Sequence, residues 1–229
     1  MHPDPRNQSP FHALPPVVAG LALVIGGVEA MFLLAEAGLL GGPAGDGWRI
    51  GAIRDWSVAG PVWDWMVANG RYPPEYLARF ATYALIHGGI GHAAFVAVFV
   101  LALGNVTHPF LPRWRQLAVF FGSAVAGGLA FAVLFDGVLY GGFPGAYGLI
   151  GAFTYLTWRG VLPIPRERAF LLVGLLLVIQ PVFALAAGMG WGWLPDWVAE
   201  AVGAAAGFGL SAALAPGALA RMRDRMRRR

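Results

Sequence analysis

The residues of this chain that could do chemistry are acids and histidines placed inside apolar stretches. Glu29 and Glu36 belong to the first apolar run, His87 and His92 occur five residues apart in the second, and Glu200 interrupts the last. Ionisable side chains are costly inside a bilayer, so their presence there indicates a functional or a pairing role. We expect Glu36 at the membrane interface, which leaves Glu29 as the buried acid of the first run.

Two kinds of site could be built from His87, His92 and Glu200. Five residues turn a regular helix through about 500°, which would leave the two imidazoles about 140° apart. Zinc-binding helices prefer histidines four residues apart, so we expect no metal and no cofactor. The alternative is a charge-assisted hydrogen bond between His92 and Glu200 that ties two helices together, while His87 satisfies a backbone or loop group.

The composition is that of a membrane protein. Hydrophobic residues make up 58% of the chain and charged residues only 12%, against about 25% charged in soluble domains. Cysteine is absent, which excludes disulfides and thiolate metal sites. All 16 basic residues are Arg, and they lie between apolar runs and at the tail. They therefore indicate membrane topology rather than nucleic-acid binding.

Six apolar spans can position these residues in an all-α bundle. A long loop over residues 41–79 carries four Trp and is expected to lie partly in the interface, with a short amphipathic helix at residues 61–66. The division is a segment over 1–14, a membrane domain over 15–216 and an Arg-rich tail over 217–229. The predicted spans are Val17 to about Leu40, Phe80–Leu103, Leu117–Phe135, Gly145–Trp158, Phe170–Ala187 and Trp197–Leu214.

The Arg residues predict the orientation of these spans. Twelve lie on the side that holds both termini and four on the side of the 41–79 loop, so both termini are expected in the cytoplasm. The outer ends of spans two, four and six then meet on one side. This brings His87, His92, Pro144 and Glu200 to a similar outward-facing depth.

Glycine is concentrated at the start of span four. Five of the eleven residues in 141–151 are Gly, which weakens a helix in water but lets helices pack closely in a membrane. Pro144 is tolerated there because the first turn of a helix needs no N–H at that point. Gly203 and Gly207 show the same small-residue spacing in span six, and we expect them to pack against span four.

The chain resembles the rhomboid intramembrane serine proteases over roughly residues 15–215, because its motifs occur in the same order along the spans. Arg79 matches the Arg of a Trp-Arg pair before span two, and His87 and His92 match two histidines in it. Residues 142–145 (Gly-Phe-Pro-Gly) lie where the family has Gly-x-Ser-Gly. Residues 199–207 match Ala-His-x-x-Gly-x-x-x-Gly except at the His. The resemblance implies a six-helix rhomboid-like bundle.

The same resemblance implies lost chemistry. Pro144 occupies the position of the nucleophilic Ser, Glu200 that of its His base, and Val96 that of an Asn that assists the oxyanion, while His92 is kept. Gly142 and Gly145 flank the changed position. The family then implies a pseudoprotease of a bacterial inner membrane, with lipids and transmembrane segments of other proteins as partners and no nucleic acid.

Two other functions stay open at this point. An active protease could use another Ser, but Ser9 lies in the N-terminal segment and the other three have no His nearby in sequence, whereas a nucleophile needs its base within hydrogen-bond reach. A small transporter or proton-handling protein could be built around Glu29, Glu36 and Glu200. Such proteins often show internal symmetry between halves, which this sequence lacks.

Overall fold

The computed structural model describes residues 14–111 and 113–214. Within them five helices are long and apolar enough to cross a membrane. A sixth helix, Phe143–Trp158, is shorter and lies inside the others. The predicted all-α membrane bundle is confirmed. The N-terminal segment before residue 14 and the Arg-rich tail over 217–229 lie outside the described residues.

The long helices keep to the predicted apolar runs with shifted ends. The first span ends at Glu36 rather than near Leu40, because Gly38, with a φ of +74°, turns the chain there. The six membrane helices are α1 (Pro16–Glu36), α5 (Ile90–Thr107), α6 (Trp114–Leu134), α7 (Phe143–Trp158), α8 (Leu171–Ala186) and α9 (Leu194–Leu214).

The predicted second span, Phe80–Leu103, is wrong at its start. Helix α4 (Pro74–Thr82) and a 3₁₀ turn (Tyr83–Leu85) precede a non-helical segment, and α5 begins only at Ile90. The two consecutive glycines Gly88 and Gly89 interrupt the helix. His87 therefore lies in the connection and His92 in the helix, so the 140° separation expected on one regular helix does not apply.

The outer loop is largely folded. A 3₁₀ helix (Gly42–Gly47) is followed by α2 (Trp48–Trp56) and α3 (Gly60–Asn69), and α3 contains the helix expected at residues 61–66. Between them β1 (Val58–Ala59) pairs antiparallel with β2 (Val138–Leu139), just ahead of α7. The amide of Gly60 extends this pairing by donating to the carbonyl of Gly137 at 3.1 Å. The loop is thus fastened to the chain that enters α7.

Helix α7 is the centre of the core. All but three of its 16 residues are buried, and it packs against α5, α6, α8 and α9. Glycines allow this close approach: a Cβ on Gly207 would meet the Gly148 backbone, with its Cα at 2.5 Å. Likewise, a Cβ on Gly203 would lie 2.9 Å from the Pro144 carbonyl carbon. The structure places Gly203 and Gly207 of α9 against α7.

Candidate functional site

The first turn of α7 brings together several of the predicted site residues. Gly142 is the N-cap residue of this helix and Pro144 lies in its first turn, where a missing N–H leaves no hydrogen bond broken. Pro144 is buried, with Gly203 of α9 against its backbone. On the other side, a Cβ on Gly127 of α6 would lie 2.8 Å from the Pro144 Cβ. The proline is enclosed by two helices.

His87 connects the segment before α5 to the start of α7. Its side chain is fully buried, and its Nε2 accepts a hydrogen bond from the Gly142 amide at 3.2 Å. Its own carbonyl accepts one from Arg49 at 2.8 Å. The expectation that His87 satisfies a backbone group matches this contact.

His92 faces the same turn from α5. Its ring stacks on Phe143, with centroids 4.9 Å apart and planes at 20°, and it also packs against Gly141. The buried Nε2 of His92 makes no hydrogen bond with any described residue. Val96, one turn further along α5, is fully buried against Gly142. The resemblance implied that Val96 stands where the family has an Asn. In the structure that position carries a buried apolar side chain, which donates no hydrogen bond.

Glu200 lies near this turn but pairs with a different helix. It is 5% exposed, and its Oε2 accepts a hydrogen bond of 2.6 Å from Nε2 of Gln180 on α8. The same amide nitrogen lies 3.3 Å from the hydroxyl of Tyr147 on α7. The expected pair between His92 and Glu200 is not formed. The polar contact instead joins α9 to α8 and α7.

A second polar contact holds α8 to α9. Pro181 lies inside α8 and has no N–H, so the Leu177 carbonyl lacks its usual helical donor. The indole Nε1 of Trp197 donates to that carbonyl at 2.7 Å. Lipid offers no hydrogen-bond partner to a polar group. The contacts of Gln180 with Glu200 and of Trp197 with the Leu177 carbonyl therefore satisfy groups that lipid could not.

The acids of the first span are bound by a base that sequence reasoning missed. Arg49, in α2, donates to Glu29 at 2.8 and 3.0 Å and to Glu36 at 2.6 Å. The carboxylates of Glu36 and Glu29 raise the pKa of the guanidinium above its ordinary value. The Glu29 side chain is 4% exposed and that of Glu36 is 36% exposed, which agrees with an interfacial Glu36. The sequence did contain a signal for such a partner, because two acids in one apolar run need a group to pair with inside a membrane.

Other predicted site residues lie away from the turn or act through packing. Arg79 on α4 lies over the Tyr76 ring at 5.0 Å and donates to the Arg54 carbonyl at 3.2 Å, which fastens the outer loop. Gly145 packs against the ring of Phe120. A groove of about 630 Å³ lies between α1 and α2, and its lining includes neither Pro144 nor Glu200.

The described serine hydroxyls are not paired with a base. Pro144 has no nucleophilic atom. The hydroxyls of Ser57 and Ser123 are buried without a hydrogen-bond partner among the described residues, and that of Ser211 donates to the Gly207 carbonyl. None of these three is hydrogen-bonded to a histidine. Over residues 14–111 and 113–214, no group of three His, Cys, Asp or Glu is arranged to hold a metal ion.

Comparison with known proteins shows which family the chain belongs to. No curated protein matches the chain. The sequence model of the Rhomboid domain matches residues 74–217, which takes in every helix from α4 to α9. This stretch is more than half of the 229 residues, and the described helices within it form the enclosed bundle around α7. The resemblance drawn from the motifs is thereby confirmed, and the chain belongs to the rhomboid family.

Proposed function

We propose that this rhomboid-family protein binds transmembrane segments of other membrane proteins without cleaving them. The observation that carries the proposal is Pro144 at the nucleophile position, buried and packed against α9. It supplies neither a hydroxyl nor a backbone N–H to an oxyanion. At the base position, Glu200 accepts a hydrogen bond from Gln180. A preorganised oxyanion donor is worth about 2.7–4 kcal/mol of barrier, and among the described residues no serine is hydrogen-bonded to a histidine that could activate it.

Helix α8 supports a binding role on its side of the bundle. Only Ala184 of its residues is buried, whereas α7 is almost wholly enclosed. Large apolar side chains such as Phe183 and Val178 point away from the core, at 73% and 60% exposed. A helix held by few buried contacts opens more easily than the rest of a fold. A client segment would enter beside α8 and reach the first turn of α7.

Photocrosslinking in native membranes tests this proposal. A photoreactive amino acid at Phe183 should give adducts that map to transmembrane segments of other proteins. The matched control is the same probe at Leu23 of α1, which is equally exposed at 74%. Equal adduct yields from both positions, or none from Phe183, would contradict the proposal.

A cleavage assay tests the other half of the proposal. Purified protein incubated with a fluorogenic transmembrane substrate should give no more cleavage than empty vesicles. Cleavage that disappears in Ser123→Ala, a buried serine on α6, would show an active protease with a relocated nucleophile.

We place the protein in a bacterial cytoplasmic membrane with both termini inside. The support is the Arg distribution, with twelve Arg on the side of the termini against four on the loop side. A cytoplasmic reporter fused to the C terminus should be active, and one inserted at Gly70, in the outer loop, should not. An active reporter at Gly70 with an inactive one at the C terminus would contradict this orientation.

A further inference from the structure

We propose that the transmembrane segments bound by this protein carry a carboxamide side chain, Asn or Gln, which donates a hydrogen bond to Glu200 in place of Gln180. This inference rests on the proposed function and adds the chemical class of the segment. It follows from three observations on Glu200, Gln180 and the helix that carries Gln180.

The first observation is that Glu200 is an acceptor inside the membrane domain with a donor from a neighbouring helix. A carboxylate has about four acceptor sites. The described hydrogen bond to it is the 2.6 Å contact from Nε2 of Gln180, with Tyr147 beside them. In lipid no water can replace a lost donor. Glu200 therefore selects for an N–H group at its own depth.

The second observation is that the donor sits on the most weakly buried membrane helix. Gln180 is partly buried on α8, the helix of which only Ala184 is fully covered. Glu200 is on α9, which packs against α6 and α7 over its length. Rotation of the Gln180 side chain out of this contact would remove the donor and leave the acceptor in place, open to the side of α8.

The third observation is that the two contacts between α8 and α9 are separate. Trp197 donates to the Leu177 carbonyl, and Gln180 donates to Glu200. Leu177 and Gln180 are three residues apart and so lie on one face of α8, as Trp197 and Glu200 do on α9. The Gln180 side chain can thus turn away and its contact be exchanged for an equivalent one, while the Trp197 contact keeps the backbone of α8 on α9.

Exchange of one primary amide for another balances the hydrogen bonds. A client Asn or Gln replaces the bond that Gln180 gives up, whereas an apolar client leaves Glu200 without that donor. Hydrogen bonds between membrane helices are worth about 0.6–2 kcal/mol. Such a difference corresponds to a preference of about three- to thirtyfold for the amide-bearing segment.

Binding of matched model peptides in nanodiscs tests the inference. Two otherwise identical apolar helices carry either Gln or Met at the depth of Glu200, since Met has a similar length and no N–H. Because the chain contains no Cys, one cysteine introduced at the exposed Met189 takes a fluorophore for energy transfer to a labelled peptide. Wild type should bind the Gln peptide at least threefold more tightly than the Met peptide.

Two variants identify the acceptor and the competing donor. Glu200→Leu should lose the preference between peptides. Gln180→Met should strengthen it, because the internal competitor is gone while the acceptor remains. If Glu200→Leu fails to fold, as judged by circular dichroism, the Gln180→Met variant still decides the matter, since an unchanged or reduced preference contradicts the exchange.

The outcomes separate this inference from the proposed function. Equal affinity of wild type for both peptides overturns the carboxamide requirement and leaves client binding standing. A preference that persists in folded Glu200→Leu overturns Glu200 as the acceptor. Failure of both peptides to bind at any concentration contradicts the inference and the proposed function together.

Discussion

At the scale of single residues, Pro144 gives the first turn of α7 neither a nucleophilic atom nor an N–H at that position, and the residues around it hold the turn in place. The Gly142 amide donates a hydrogen bond to Nε2 of His87, and Gly203 of α9 packs against the Pro144 backbone. The resemblance to the family predicted that Pro144, Glu200 and Val96 stand at the positions of its Ser, His and Asn. Gln180 could not be paired with Glu200 from sequence, because their contact joins two helices whose relative placement no local pattern encodes.

Arg49 gives a prediction at this scale. Arg49→Met leaves Glu29, 4% exposed, without its base, and removing one partner of a buried ion pair costs about 3 kcal/mol. We expect a clearly lower thermal unfolding midpoint in detergent. Since Arg49 also donates to the His87 carbonyl, the contact of His87 with the start of α7 should loosen as well.

Arg54→Met is the matched control for this prediction. Arg54 lies in the same short helix and pairs with Asp55, but its side chain is 75% exposed. Exposed pairs contribute little to stability, so its unfolding midpoint should match that of wild type. Equal effects of the two substitutions would show that burial of Glu29 is not what makes Arg49 matter.

At the scale of elements, hydropathy was enough to locate the membrane helices and not enough to find their interruptions. The apolar run from Phe80 to Leu103 hides the break at Gly88 and Gly89, because glycine counts as apolar in a membrane span while it ends a helix. The pairing of β1 with β2 joins residues about 80 positions apart through two-residue strands. So short a segment has no periodicity from which to predict it.

The interface of α7 and α9 predicts opposite effects for two neighbouring glycines. Gly207→Ala places a Cβ against the Gly148 backbone, which cannot move aside, and should cost about 1–3 kcal/mol of unfolding free energy. Gly209→Ala, two residues further along α9, meets nothing within 4 Å and gains helix propensity. Thermal unfolding should show a lower midpoint for the first and an equal or higher one for the second. A tolerated Gly207→Ala would contradict the close packing of α7 on α9.

The attachment of α8 by Trp197 predicts a coupling between two residues. Trp197→Phe removes the donor to the Leu177 carbonyl and should cost about 1 kcal/mol. In a Pro181→Ala background the same substitution should cost less, because residue 181 then has an N–H that can bond Leu177 within the helix. Thermal unfolding of the wild type, the two single variants and the double variant in one detergent measures this double-mutant cycle. Additive effects would show that Pro181 is not the reason that Trp197 is needed.

At the scale of the whole molecule, the chain has the fold of the rhomboid family, and the proposed function assumes that Pro144 and Glu200 stand where the family has its catalytic pair. The double substitution Pro144→Ser with Glu200→His restores the family's two side chains, yet we expect no appreciable cleavage of a transmembrane substrate. Val96 still supplies no oxyanion donor, and the introduced imidazole would face Gln180 rather than a free cavity. A cleavage-competent rhomboid protease in the same vesicles serves as the positive control. Efficient cleavage by the double variant would show that the turn at Gly142 retains catalytic geometry.

The position of α9 in the chain also has a consequence for biosynthesis. The enclosed helix α7 packs most extensively on α9, which the ribosome delivers more than 35 residues after α7 ends. Until then the face of α7 at Gly151, which packs against Ala204 and Phe208 of α9, has no partner. The bundle therefore cannot close as its helices are inserted one by one. A nascent chain halted before Leu194 should remain open, sensitive to protease and available to the membrane's quality-control machinery.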